Sequence, residues 1–169
     1  MGTSIFFSHS TRDRRWCEWL AADAAKFGIS AYLAEHDPQP GWQLAEKVKR
    51  NIGDCNALVV LLTENSVSSS YVQQEIGWAL AEDKLVIPLI QPGIPSTKLA
   101  MLQGVEYIEF DFRDPRPGKE NLAGELRRLA EKQRKQDELE TLIALGLCVG
   151  LLALLLSEGG PVGAFAPSP

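Results

Sequence analysis

The sequence predicts an α/β fold: a flavodoxin-like, doubly wound, mainly parallel five-stranded sheet with helices on both faces, plus a C-terminal hydrophobic helix. Short apolar runs alternate with stretches of helical periodicity up to about residue 130. One of those runs, Ala57–Leu62, is apolar at every position, as expected of a strand covered on both faces. The appended helix is predicted by a change of composition near residue 137, beyond which no charge occurs from Thr141 to Ser157.

Ser4–Ser8 reads as a short buried first strand. From Asp13 to Phe27, Trp16, Leu20, Ala24 and Phe27 recur near helical spacing, and Gly28 supplies the stop. Ile29–Ala34 is the second strand, and Glu35–Gly41, with two prolines and a glycine, is a loop. Leu44, Val48 and Ile52 mark a helix face that ends around Gly53. After the third strand comes a serine-rich turn, and Ser70-Tyr-Val-Gln73 fits a capping box opening a helix with Val72, Ile76 and Leu80 on its inner side. Leu85–Ile90 is the fourth strand. Val105–Phe112 is the fifth, its alternation suiting a sheet edge, and Leu122, Leu126 and Leu129 mark the last helix of the domain.

These boundaries give a domain over residues 1–135, a polar linker at 136–138, a hydrophobic helix over 139–158 and a disordered tail at 159–169. Seventeen Lys and Arg against 22 Asp and Glu leave a formal charge of −5, which argues against a nucleic-acid partner. Cys17, Cys55 and Cys148 have no metal-ligand or Cys-x-x-Cys spacing and read as buried free thiols in a reducing compartment. No second His or Cys stands at a ligand spacing from His9, so no metal is expected. The N-terminus lacks the basic start and apolar stretch of a signal peptide, which places the domain in the cytosol.

The 17 residues Thr141–Ser157 would span about 26 Å as a helix, against about 30 Å of hydrocarbon. Lys132, Arg134 and Lys135 precede them and no Lys or Arg follows. The expectation is a single-pass tail anchor with the domain cytoplasmic. The alternative is a soluble oligomer in which the helix packs against copies of itself, and Gly146-x-x-x-Gly150 would allow a close approach.

In this order the pieces resemble the Toll/interleukin-1 receptor (TIR) domain family, particularly its bacterial members, over roughly Thr3–Arg134. Ile5-Phe-Phe-Ser-His-Ser10 resembles the family's first-strand box, and Asp37-Pro-Gln-Pro-Gly41 stands where the family has its long loop after the second strand. Tyr71-Val-Gln-Gln-Glu75 occupies the place of the Trp-x-x-x-Glu signature, with Tyr for Trp, and Phe110-Asp-Phe112 lies near the third box. The family has two branches: adaptors that signal by TIR–TIR contact, and enzymes that cleave NAD+ at the nicotinamide–ribose bond with the helix glutamate.

The resemblance implies that Glu75 is catalytic. A carboxylate beneath the ribose would stabilise the oxocarbenium-like charge left as nicotinamide departs. Glu75 lies beside Val72 and Ala79, at the border of the buried helix face, although a solvated helix glutamate is the ordinary fate of this residue type. Tyr71, four residues earlier, shares that face and either orients the carboxylate or packs in the core. Ser8, His9 and Ser10 end the first strand, where they either bond ribose and phosphate or do turn chemistry. Arg12 either meets the pyrophosphate or is solvated, and Trp42 either stacks on a ring of the ligand or packs under the following helix. Ser66, Ser68 and Ser69 read as turn and capping residues.

Neither a Walker nor a Rossmann phosphate loop is present, so NAD+ is expected as substrate and no cofactor is expected. The implied function is an NAD+ glycohydrolase, or a cyclase if adenine rather than water captures the ribosyl cation, activated by oligomerisation in anti-phage defence. The expected partners are NAD+ and further copies of the chain, through the TIR domains and the C-terminal helix, with a membrane. Two alternatives stand beside it: a non-enzymatic, membrane-tethered TIR scaffold, and a nucleoside-processing relative that cleaves another N-glycosidic bond.

Overall fold

The computed structural model describes residues 2–34 and 44–157, with side chains over 2–34 and 45–149. Trp42 and the loop Asp37–Gly41 lie outside the described residues, as does the tail from 158 onward. Strands β1 (Ser4–Ser8), β2 (Ser30–Leu33), β3 (Ala57–Leu62), β4 (Leu85–Ile90) and β5 (Ile108–Glu109) form one parallel sheet in the order β2-β1-β3-β4-β5. Between them run α1 (Arg14–Ala24), α2 (Leu44–Asp54) and α3 (Ser70–Ala81), and α4 (Arg116–Ser157) follows β5.

The apolar runs decide which strands are central. All six residues of β3 are buried, and it pairs with β1 on one side and β4 on the other. Alternate residues of β1 face opposite layers. Phe6 packs with Val48 and Ile52 of α2 and with Val72, Ile76 and Ala79 of α3. Ile5 and Phe7 pack with Cys17, Leu20 and Ala24 of α1 and with Leu122 and Leu126 of α4. Each fully buried Leu, Ile or Phe in these layers contributes about 1.5–3 kcal/mol. The helices therefore lie on both faces of the sheet, as doubly wound connectivity requires.

α1 is flanked by two short 3-10 turns, Thr11–Asp13 and Ala25–Phe27, and ends at Gly28 with φ 72°. That left-handed conformation suits a residue without a Cβ. α3 opens one residue before the expected cap. Ser69, not Ser70, is the N-cap and accepts from the Val72 N–H, while the Gln73 side chain donates to the Val67 carbonyl. Leu80 is 38% exposed, and Ala79 takes the inner position expected for it.

The fifth strand is far shorter than Val105–Phe112, and β4 supplies the reason. Gln91 N–H donates to the Leu62 carbonyl, whereas the Ile90 carbonyl accepts from Phe110 N–H, so successive β4 residues address opposite neighbours. Pro88 shares the side of Ile90 but has no N–H. The β4–β5 ladder covers only Leu89 and Ile90, beginning just past the proline. β5 is held from above by α4, whose Gly118 approaches so closely that a Cβ there would lie 2.7 Å from the Glu109 carbonyl oxygen.

The chain divides into two units, Met1–Glu131 and Lys132–Pro169. The expected polar linker at 136–138 lies within α4, which continues through it. Thr141 donates its hydroxyl to the Asp137 carbonyl one turn earlier, and Arg134 pairs with Glu138 at 3.3 Å. Among the described residues no helix is long and apolar enough to cross a membrane. The anchor expected over 139–158 is thus not carried by them. It draws on residues 150–157, whose side chains lie outside the description. Within unit 2, Leu139, Leu142, Ile143, Leu145, Leu147 and Val149 are all more than half exposed. Cys148 is exposed too, against the expectation of buried thiols, which holds for Cys17 and Cys55.

Candidate active site at the ends of β1 and β3

From β1 the chain moves outward to β2, and it then crosses back to β3 on the other side of β1. This reversal makes the carboxyl ends of β1 and β3 the switch point of the sheet, where connections diverge to opposite faces and ligands bind in such folds. Ser8 ends β1, Thr63 follows β3, and both are fully buried.

Glu75 is 2% exposed and sits in the second turn of α3, on the face that presents Val72, Ile76 and Ala79 to the sheet. The Ser8 hydroxyl donates to Glu75 Oε2 at 2.5 Å. Burial pushes the carboxyl from an ordinary 4.5 up to about 7, and the Ser8 hydrogen bond offsets only part of that. A shift of this size corresponds to about 3 kcal/mol against the charged form. Near neutral pH the group is therefore divided between acid and carboxylate, as suits a residue that must carry charge at one stage and surrender it at another.

The other predicted residues separate in space and in role. His9 is buried, and its Nδ1 lies 2.8 Å from the Ser10 carbonyl. Because a carbonyl can only accept, Nδ1 carries the proton. Ser10 caps the 3-10 turn by accepting from Arg12 N–H, so its hydroxyl performs the turn chemistry that was one of its two readings. Arg12 is exposed. Tyr71 is 56% exposed and does not share the burial of Glu75. Among the described residues of this set, Ser8 is the one joined to Glu75 by a hydrogen bond between side chains.

A second buried polar cluster joins the start of α1 to the turn after β3. Asp13, 3% exposed, accepts from the Thr63 hydroxyl at 2.7 Å on Oδ2 and from Asn65 Nδ2 at 2.9 Å on Oδ1. Ser66 completes the turn, accepting from Thr63 N–H and donating to the Leu61 carbonyl. The sequence gives Ser66 away as a turn residue. Asp13 reads there only as the start of the first helical stretch, since its partners are 50 and 52 positions distant.

Two cavities, of about 740 and 470 Å3, open elsewhere, one along Ser96–Tyr107 and one between β2 and α2, and neither is lined by Ser8 or Glu75. Among the described residues no group of His, Cys, Asp and Glu could hold a metal ion.

A five-stranded parallel sheet with a buried glutamate at its switch point defines a flavodoxin-like domain. The model of the TIR domain family matches residues 5–130, and the chain belongs to that family. No curated protein matches it in sequence. Similar solved structures include the TIR domains of the activated Roq1 resistosome recognising the pathogen effector XopQ, at 15% identity and TM-score 0.58, covering 74% of this chain and 99% of that one. The TIR domain of the Toll-related receptor TRR-2 from Hydra magnipapillata is 21% identical with TM-score 0.58, covering 73% of this chain and 97% of that one. The CMP N-glycosidase BcmB of Clostridium botulinum is 18% identical with TM-score 0.55, covering 72% of this chain and 99% of that one. At these identities the likeness is one of fold.

Proposed function

We propose that the chain hydrolyses NAD+ at the nicotinamide–ribose bond, with Glu75 as the catalytic carboxylate. The observation that carries this reading is Glu75 itself, buried at the switch point with a single side-chain donor and a carboxyl raised to about 7. As the C–N bond breaks, its electron pair leaves with nicotinamide and positive charge develops on the ribose. A carboxylate held in apolar surroundings stabilises that charge more strongly than one in water. Water then adds at the ribose carbon and loses a proton, to Glu75 or to solvent. Ser8 holds the carboxylate in place. Capture by the adenine ring instead of water would give a cyclic product from the same intermediate.

With Glu75 only 2% exposed, substrate reaches it only after the crevice opens. Assembly of several copies is the proposed trigger, through the TIR domains and through the exposed apolar positions of unit 2. Specific activity of the full chain is then expected to climb with its own concentration, and a flat dependence would sink this part.

One neighbour favours a second reading: an N-glycosidase that acts on CMP shares the fold, so a nucleotide other than NAD+ is the main competitor as substrate. The deciding experiment offers NAD+ and CMP separately to concentrated full-length protein and to Glu75→Ala, following release of nicotinamide and of cytosine. Release of nicotinamide by the wild type alone supports the NAD+ reading, and release of cytosine alone transfers the mechanism to CMP. No release of either base, or equal release by the variant, rejects catalysis by Glu75 and leaves a TIR scaffold.

A further inference from the structure

We propose that Asp13 is a positioning residue for the Glu75 site, tying the two loops that diverge at the switch point and so fixing how Ser8 meets Glu75. This rests on the reading of Glu75 given above. Asp13 stands at the N-cap of α1, where an aspartate ordinarily bonds the first free N–H groups of its helix, yet it makes no such side-chain bond. Its two oxygens are instead committed to Thr63 and Asn65, in the turn that follows β3. The segment from Ser8 to Asp13 is thereby held at both ends. Its start is bonded to Glu75 of α3, and its end is bonded to the β3–α3 loop that leads into α3.

The tie is built to be rigid. Thr63 and Ser66 are fully buried, and the Thr63 hydroxyl that donates to Asp13 also accepts from Asn65 N–H at 3.0 Å. Releasing Asp13 frees the β1–α1 connection to move relative to α3, which lengthens or breaks the contact of Ser8 with the carboxylate. A misplacement of about 1 Å is enough to cost on the order of a hundredfold in rate.

The test uses the full chain and two independent readings. D13N turns one acceptor into a donor that faces the Asn65 amide, and the exchange D13N/N65D restores one donor and one acceptor on each side. D13N is expected to lower kcat for nicotinamide release by about tenfold or more with KM little changed, and the exchange to recover most of it. Because the Ser8 bond favours the charged form, carboxyl 13C chemical shifts of Glu75, followed through a pH titration, should show its midpoint rising further above the ordinary carboxylate range in D13N and returning in the exchange. A Glu75 titration identical in wild type and D13N overturns the proposal whatever the activity does, as does a loss of kcat that the exchange leaves unrepaired. If the wild type does not cleave NAD+, the functional reading fails and the titration alone decides. Should D13N not fold, T63V removes the bridging hydroxyl and T63S keeps it, and the same two measurements apply.

Discussion

Asp13 and Glu75 are both acids with no more than 3% of their surface exposed, and both lie where β1 and β3 end. Asp13 is met by a hydroxyl and an amide from a turn that is itself fully bonded, one donor on each oxygen. Glu75 is met by one hydroxyl and otherwise shares its helix face with Val72, Ile76 and Ala79. The difference teaches that two buried acids of one domain can be held in opposite ways. Polar satisfaction makes a buried acid a fixture, whereas withholding it leaves the acid poised between its two forms.

The largest expected break in this comparison is chemical. Glu75→Gln keeps the shape and the bond from Ser8 but removes the charge, and nicotinamide release should fall by about a thousandfold or more in a single-turnover assay. The same substitution should raise stability at pH 8. The Glu75 carboxyl is raised on folding from 4.5 to about 7, so its contribution is fully present below about 4.5, fades as pH rises through 7, and leaves the charged form destabilising above that. Denaturant melts should therefore find Glu75→Gln more stable than wild type by about 3 kcal/mol at pH 8, with the gap closing near pH 4.5. Equal stability of Glu75→Gln and wild type at both pH values would show that burying the Glu75 carboxylate carries no such cost.

A smaller effect sharpens the role of Ser8. The ascending limb of kcat/KM for the wild type is expected near pH 7, as the carboxylate forms. Ser8→Ala removes a bond that favours the charged form, so the limb should move to higher pH, and a limb that stayed put would separate Ser8 from the titration. The smallest effect concerns the helix that carries Glu75. Ser69→Ala deletes its cap and should cost about 1 kcal/mol in a urea melt while leaving the pH profile in place.

Much of this was legible in the residues. Ala57–Leu62 and Leu85–Ile90 are strands to the residue, because a continuous apolar run bounded by polar turns leaves little freedom in where a buried strand begins. Glu75 was legible from its place after a strand and serine turn, although its depth was not. Tyr71, four residues earlier and about 40° round the helix, falls on the solvent side of the same boundary. Asp13 was hidden for another reason: a carboxylate ahead of a helix announces a local cap, and nothing local reports that its bonds go to residues fifty positions away. The α4 helix continues through 136–138, where polarity alone suggests a linker, and there Gln133 pairs with Asp137 and Arg134 with Glu138 one turn apart.

Pro88 has a bearing on solution behaviour. β5 leaves most of that flank of β4 without a ladder, and although Val86, Ile87 and Pro88 are buried in the folded domain, any loosening of the segment that covers them would expose a parallel edge onto which a stray extended segment can add. The missing N–H at Pro88 removes one rung from any such addition and bars register at that point. Pro88→Val, which would serve the strand's own propensity, is expected to make the protein more prone to aggregate on standing.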